Sequence, residues 1–159
     1  MSSRSLSLAC SLAIAAVAGS AMASPPPNYS QQVYLCNSHL QAKVDITFGQ
    51  TGTTASVLTQ SGQVKDNPFV AGVPTGLPYS VFVAASIKPN ASASWSDLSA
   101  QQDGTVGTPQ SAISIGNSTF IGSGCQIKGS VILSTGCPSG SGMSNDYKTI
   151  ERTWVGCGL

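Results

Sequence analysis

Hydrophobic and polar residues alternate along several short segments of this chain, whereas no helical period persists for even ten residues. The clearest alternation runs over residues 41–49, where the hydrophobic positions are Ala42, Val44, Ile46 and Phe48. A period of two places these side chains on one face of a strand. The pattern therefore predicts a half-buried strand, with Asp45 turned outward.

Four other segments are predicted to be strands: residues 33–37, 54–61, 79–87 and 147–157. The third is an almost continuous apolar run, which is typical of a central strand covered on both sides. Short strands separated by Gly, Pro and Ser turns indicate an all-β fold. We predict an antiparallel β-sandwich or small barrel with two disulfides and little or no helix.

The segments between these strands carry weaker signals. Residues 66–78 contain three prolines, which block regular structure. Residues 96–100 are expected to make one helical turn with a serine cap, and residues 138–146 are expected to be flexible.

Residues 112–137 repeat an aliphatic residue at every sixth position, namely Ile115, Ile121, Ile127 and Leu133. This spacing resembles the left-handed β-helix of bacterial hexapeptide acyltransferases, in which each such residue points into a triangular prism. The resemblance covers 24 residues, which is less than two coils, whereas a repeat fold stacks about three units to bury its core. The stretch also has no counterpart of that family's catalytic histidine.

An antiparallel hairpin explains the same spacing of aliphatic residues with fewer assumptions, because six is a multiple of the two-residue period of a strand. If Gly122-Ser123-Gly124 is the loop, Ile121 faces Cys125 and Ile113 faces Leu133 on one face. Both Cys125 and Cys137 then lie on the buried side. We prefer the hairpin to the β-helix.

The N-terminus has the three parts of a secretory signal: Arg4 in a polar start, an apolar run over residues 6–18, and Ala21-Met22-Ala23. The apolar run is shorter than the roughly 20 residues of a spanning helix, and no later stretch reaches that length. We predict a signal peptide over residues 1–23, cleaved after Ala23, and a secreted or periplasmic protein. The proline-rich residues 24–31 are expected to form a flexible arm before a single β domain over residues 32–159.

Four cysteines follow the predicted signal: Cys36, Cys125, Cys137 and Cys157. An even number in an exported chain predicts two disulfides. The favoured local pair is Cys137 with Cys157, which contributes about 3 kcal/mol, and it leaves Cys36 with Cys125 for about 4.6 kcal/mol. Spacing alone leaves the other two connectivities open.

Charge and motifs exclude several classes of partner. Charged residues make up 8% of the chain and the net charge is +1, so no basic surface is predicted for nucleic acid or an anionic membrane. The sequence has neither a Cys-x-x-Cys pair nor a nucleophile elbow, a zinc-protease motif or a phosphate loop. No metal, other cofactor, nucleic acid or membrane span is predicted.

Few residues offer catalytic chemistry. His39 is the single histidine and is expected in an exposed loop. Asp66, Asp103 and Asp146 lie beside turn residues, where Asp usually binds the backbone. Glu151 shares a strand with basic residues and is expected in a surface ion pair.

Trp95 is the candidate ligand-binding residue, because an indole among polar neighbours can stack on a sugar ring. Trp154, in the last predicted strand, is expected in the core. We predict an exported, non-enzymatic β domain with a structural, cell-surface or binding role, its partner being a carbohydrate or a cell-surface component. The alternatives are a secreted hydrolase with a site near His39 and a subunit of a surface appendage.

Overall fold

Strands account for most of the chain that the structure describes. A computed structural model describes residues 24–70, 76–108, 111–139 and 142–157, and the predicted signal peptide lies outside these ranges. The strands there are β1 (Tyr29–Leu35), β2 (Leu40–Thr51), β3 (Thr54–Ser61), β4 (Lys65–Asp66), β5 (Pro78–Lys88), β6 (Ser96–Thr105), β7 (Ile113–Phe120), β8 (Cys125–Ser139) and β9 (Gly142–Cys157).

The strands form two antiparallel sheets that enclose one hydrophobic core, which confirms the predicted all-β sandwich. The first sheet has the order β1-β2-β3-β7, with β4 paired to β2, and the second has the order β6-β5-β8-β9. The alternation in β2 is as predicted: Ala42, Val44, Ile46 and Phe48 are all buried, and so is Leu40 at the start of the strand. Trp154 is also buried, with its ring edge-on to Phe48.

The sheets approach closely at Gly129 of β8. A Cβ atom built there would lie 2.5 Å from Ile46 Cγ2 and 2.7 Å from Thr59 Oγ1 of the opposite sheet. These separations are shorter than real Cβ contacts, so glycine is the residue that lets the sheets meet at this point.

The predicted hairpin over residues 112–137 is wrong. β7 pairs with β3 in the first sheet, whereas β8 pairs with β5 and β9 in the second, so residues 121–124 connect the two sheets. The antiparallel pairing equally rules out a β-helix. The inward positions of β8 are nevertheless the predicted odd ones, because the two-residue period determines which side chains share a face but not which strand lies alongside.

Other local predictions are corrected by strand pairing. Residues 96–100 belong to β6, which pairs with β5 instead of forming a helical turn. β1 begins at Tyr29, so the last residues of the expected arm pair with β2. Residues 138–146, expected to be flexible, contain the end of β8 and the start of β9. Ser80, Phe82, Ala84 and Lys88 on the outward face of β5 are half-buried instead of covered, although Ser86 on that face is buried. In each of these segments, the hydrogen bonds and packing of the sheet outweigh a weak local conformational preference.

All four predicted cysteines form disulfides, but the favoured connectivity is wrong. The pairs are Cys36–Cys137 and Cys125–Cys157. Cys125 and Cys157 are register partners in the β8–β9 pair, whereas Cys36 lies in the turn after β1 and joins the first sheet to the end of β8. Sequence spacing could not reveal these neighbours, because the topology of the sheets creates them. The disulfides are compatible with an extracellular location, and no helix of the described residues is long and apolar enough to cross a membrane.

Candidate functional site

β1 and β9 lie side by side at one edge of the sandwich. β1 is an edge strand of the first sheet and β9 is an edge strand of the second. The contacts at this edge include the Arg152 guanidinium, 4.0 Å from the centre of the Tyr29 ring, and the N–H of Cys36, in the turn after β1, which donates a 2.8 Å hydrogen bond to Asp146 Oδ2. The two sheet edges are therefore bridged by side chains, without a continuous backbone ladder.

A groove of about 960 Å³ opens at the Cys36 end of this edge. We call it the edge groove; its walls are residues 31–34 of β1, the turn at residues 36–39, the end of β8 at 137–139 and the start of β9 at 144–148. Its neutral hydrogen-bonding side chains include Gln31, Gln32, Asn37, Ser38, Ser144 and Asn145. Tyr34, 44% exposed, adds an aromatic ring. A concave site with many neutral donors and acceptors and an aromatic ring suits a polar organic ligand.

The turn at the edge groove has an unusual backbone. Cys36, Asn37 and Ser38 all have positive φ angles, of 52°, 52° and 73°, a conformation that L-residues other than glycine seldom adopt. Asn67 holds the turn by donating its side-chain amide to Ser38 O at 2.7 Å, and the Cys36–Cys137 disulfide holds its first residue. Backbone that is strained and held by several contacts is common at binding sites.

The charges in the edge groove compensate each other. Asp146 Oδ1 lies 3.9 Å from Lys148 Nζ, while its Oδ2 accepts the Cys36 N–H. The sequence predicted that Asp146 would bind the backbone, and it does, although its partner is 110 residues away in the chain. The groove therefore presents little net charge to an anionic or cationic ligand.

His39 lines the edge groove but is not assembled into a catalytic group. Its Nδ1 is buried and has no hydrogen-bond partner among the described residues. Two serine hydroxyls of the groove donate to backbone carbonyls, Ser139 to Gly142 O at 3.2 Å and Ser144 to Cys137 O at 3.5 Å. A nucleophilic serine would instead donate to the histidine, and a third group would orient that histidine. The histidine lies in a turn, as expected, but it is half-buried instead of exposed.

A second, smaller cavity adjoins the edge groove. We call it the notch; it has a volume of about 500 Å³ and is lined by residues 78–80, 103–104, 134–136 and 145–147. Asn145 and Asp146 line both cavities. Tyr147 is 69% exposed here, whereas Tyr79 is buried, and burial raises the pKa of the Tyr79 hydroxyl.

Trp95 lies outside both cavities. It immediately precedes β6 and is 39% exposed, and Lys128 Nζ lies 5.5 Å from the centre of its ring. Lys128 also lies 3.8 Å from Glu151, so Glu151 forms the expected ion pair with a partner from a different strand. The structure thus does not bring Trp95 and His39 into one site, and sugar stacking by Trp95 stays a prediction.

Comparison of the chain with protein families, curated proteins and solved structures finds no match. Within the described ranges, no three His, Cys, Asp or Glu side chains are grouped so that they could hold a metal ion. Tyr34 and Asn145 were not identified as site residues from the sequence, because Tyr34 lies in an apolar predicted strand, Asn145 lies in a polar stretch, and neither belongs to a motif. Of the residues that the sequence singled out, His39, Asp146 and the cysteines Cys36 and Cys137 do line the edge groove.

Proposed function

We propose that this chain is an exported, non-catalytic domain that binds a neutral carbohydrate in the edge groove. The observation that carries the proposal is the lining of this groove, which combines neutral amides and hydroxyls with the exposed ring of Tyr34. Sugar hydroxyls both donate and accept hydrogen bonds, and amide side chains can match both roles. The compensated Asp146–Lys148 pair favours a neutral sugar over an acidic one.

Export is part of the same proposal. The sequence of residues 1–23 has the pattern of a secretory signal, and the two disulfides are stable in an oxidising compartment. A neutral sugar polymer outside the cell or in the periplasm would then be within reach of the domain.

The contacts at both ends of the β1–β9 edge argue against an inserted peptide strand. An inserted strand needs neighbours about 9.6 Å apart, twice the usual strand spacing. The bond from Cys36 to Asp146 and the contact between Arg152 and Tyr29 would both have to break. This disfavours the appendage alternative, in which one subunit completes the sheet of the next.

Calorimetric titration of the purified protein with cellohexaose, xylohexaose, mannohexaose and chitohexaose tests the proposal. We expect one of these hexasaccharides to bind, and we expect Tyr34→Ala and Asn145→Ala to weaken its binding by tenfold or more. Trp95→Ala is the matched control, because it removes an exposed aromatic ring outside the groove. Loss of binding in Trp95→Ala alone would move the site to Trp95, and the absence of binding to all four sugars would overturn the proposal.

The hydrolase alternative is tested in the same samples. The position of His39 in the groove favours it, but the missing hydrogen bond to a nucleophile does not. We expect no hydrolysis of the four hexasaccharides by chromatography after prolonged incubation. Cleavage by the wild-type protein that disappears in His39→Ala would establish the hydrolase instead.

A further inference from the structure

Residues 36–39 join β1 to β2 and form one wall of the edge groove; we call them the groove turn. Four-residue hairpin loops are most often built around a right-handed type I turn, whereas three successive residues of this loop have positive φ angles. The His39 N–H closes the loop by donating to Cys36 O at 3.1 Å. Of the three residues, only Asn37 is of a type that adopts this backbone readily. The backbone at Cys36 and Ser38 is therefore strained, and contacts from outside the loop hold it.

The two ends of the groove turn are held in different ways. Its entry at Cys36 is fixed by a disulfide and by the hydrogen bond to Asp146. Its exit is held by Asn67, whose side-chain amide donates to Ser38 O at 2.7 Å and whose backbone N–H donates to His39 O at 2.8 Å. One residue of another segment thus binds both carbonyl groups at the exit, where the turn has no covalent tie.

Asn67 lies behind the wall of the edge groove. It is 6% exposed and is not one of the residues that line the cavity. The short strand β4 pairs Asp66 with Leu40 at the start of β2, and this pairing places Asn67 beside the exit of the groove turn. Asn67 Oδ1 accepts the Phe69 N–H at 3.2 Å, which fixes the direction of the amide. Asn67 can therefore act on a ligand only through the groove turn.

The two side-chain hydrogen bonds of Asn67 require an amide, because one atom accepts and the other donates. Aspartate has two acceptor atoms and no donor when it is ionised. In Asn67→Asp, a buried carboxylate oxygen would face the Ser38 carbonyl without a proton between them. A buried hydrogen bond that loses one partner costs more than the bond itself contributes. Loss of the donor would therefore release the exit of the groove turn toward the negative φ angles that L-residues prefer.

We propose that Asn67 is a positioning residue, which holds the groove turn in its left-handed form and thereby gives the edge groove the shape that binds its ligand. The groove turn is a two-state element, in which the left-handed form binds and the relaxed form does not. Because the ligand and Asn67 favour the same form, each strengthens the other. This inference rests on the proposed function. It adds a residue outside the groove that controls the affinity of the site.

Amide hydrogen exchange in the sugar-free protein tests the positioning role without a ligand. In Asn67→Asp, we expect the His39 N–H to exchange at least about tenfold faster than in the wild type, the effect of one buried hydrogen bond. Adding Ser38→Gly should restore slow exchange, because glycine adopts a φ of 73° without strain. Asn117→Asp is the matched control, since it also removes an amide donor from backbone carbonyls, but on β7. It should leave exchange at His39 unchanged.

Calorimetric titration with the same four hexasaccharides connects the groove turn to binding. For the hexasaccharide that binds, Asn67→Asp should weaken affinity about tenfold, and the added Ser38→Gly should recover most of it. Wild-type exchange at His39 in Asn67→Asp, or fast exchange with unchanged affinity, would overturn the positioning role and leave the proposed function intact. Failure of all four sugars to bind the wild type would overturn the proposed function, and exchange at His39 would then decide the positioning role alone.

Ser38→Gly in the otherwise unchanged chain covers the case in which Asn67→Asp does not fold. Its midpoint of thermal unfolding should rise, because the left-handed strain at Ser38 is removed while the bond from Asn67 stays. Ser118→Gly, in the regular strand β7, is the control and should lower the midpoint. A lowered midpoint in both variants would overturn the strain on which the proposal depends.

Discussion

The two edges of the sandwich are covered in different ways. At the edge formed by β6 and β7, the Asn117 side chain donates to Ala85 O at 3.1 Å and to Ser96 O at 2.9 Å, which ties β7 to two strands of the opposite sheet. At the edge formed by β1 and β9, the contacts are an aromatic–guanidinium pair, one hydrogen bond and the Cys36–Cys137 disulfide. At the β6–β7 edge, the Asn117 side chain in the middle of β7 closes the gap between the sheets. At the β1–β9 edge, the gap stays open as the edge groove, and the disulfide fixes the position of the turn beside it.

This difference suggests what the Cys36–Cys137 disulfide is for. Exposed strand edges invite pairing with other chains, and proteins usually cover or interrupt them. At the β1–β9 edge, the disulfide holds the turn after β1 in place, but no side chain fills the groove. The groove therefore keeps a fixed shape that a ligand can enter. The Cys125–Cys157 disulfide has no such role, because it joins strands that are already paired.

Removal of each disulfide in turn is the strongest way to sharpen the comparison. From sequence separations of 101 and 32 residues, Cys36→Ala/Cys137→Ala should lower the free energy of unfolding by about 4.7 kcal/mol and Cys125→Ala/Cys157→Ala by about 3.7 kcal/mol. Urea denaturation measures both. Only the first double variant should also lose hexasaccharide binding; equal loss of affinity in the two would contradict the special role of the β1–β9 edge.

A substitution in the core, midway between the two edges, should destabilise the whole protein and should not affect one edge more than the other. Gly129→Ala places a methyl group within 3 Å of Ile46 and Thr59, and we expect a loss of about 1–3 kcal/mol from overpacking. Gly116→Ala on β7 is the control, because its nearest contact would be an ordinary 3.7 Å from Leu58. Similar unfolding midpoints for the two variants would show that the sheets can separate freely at Gly129.

Asn117→Ala should weaken the closed edge alone. It leaves Ala85 O and Ser96 O without this donor, and we expect a loss of about 1–2 kcal/mol in the free energy of unfolding. Asn145→Ala should show the reverse, with lost sugar affinity and little change in stability. If Asn117→Ala abolished binding, the two edges would be coupled and the comparison would fail.

The smallest effect concerns pH. Burial acts to raise the pKa of Asp45, but hydrogen bonds from Ser30 and Lys43 and the charge of Lys43 outweigh it, and the pKa lies below its ordinary value. A carboxyl group with a lowered native pKa contributes stability above its unfolded pKa of about 3.9, and this contribution is lost as the pH falls through the native pKa. The free energy of unfolding should therefore decline below about pH 4, less steeply in Asp45→Asn. If the free energy of unfolding fell equally steeply with pH in both proteins, Asp45 would not contribute to the pH dependence.

The sequence predicts faces better than it predicts neighbours. The two-residue period gave the buried side of β2 and of β8 correctly, because alternation is a local property of one strand. It could not show that β7 and β8 belong to different sheets, nor that Cys36 meets Cys137, because those contacts depend on topology. The residues of the proposed site were harder still to predict, since Tyr34 and Asn145 line one groove only because two sheet edges meet there.

The central claim is that the β1–β9 edge is the binding site. Titration of the ¹⁵N-labelled protein with the tightest-binding of the four hexasaccharides, followed by amide chemical shifts, tests it most directly. The account predicts the largest shifts at Tyr34 and Asn145, with Asn117 and Trp95 unchanged. Shifts centred on Trp95 or Asn117 would contradict it.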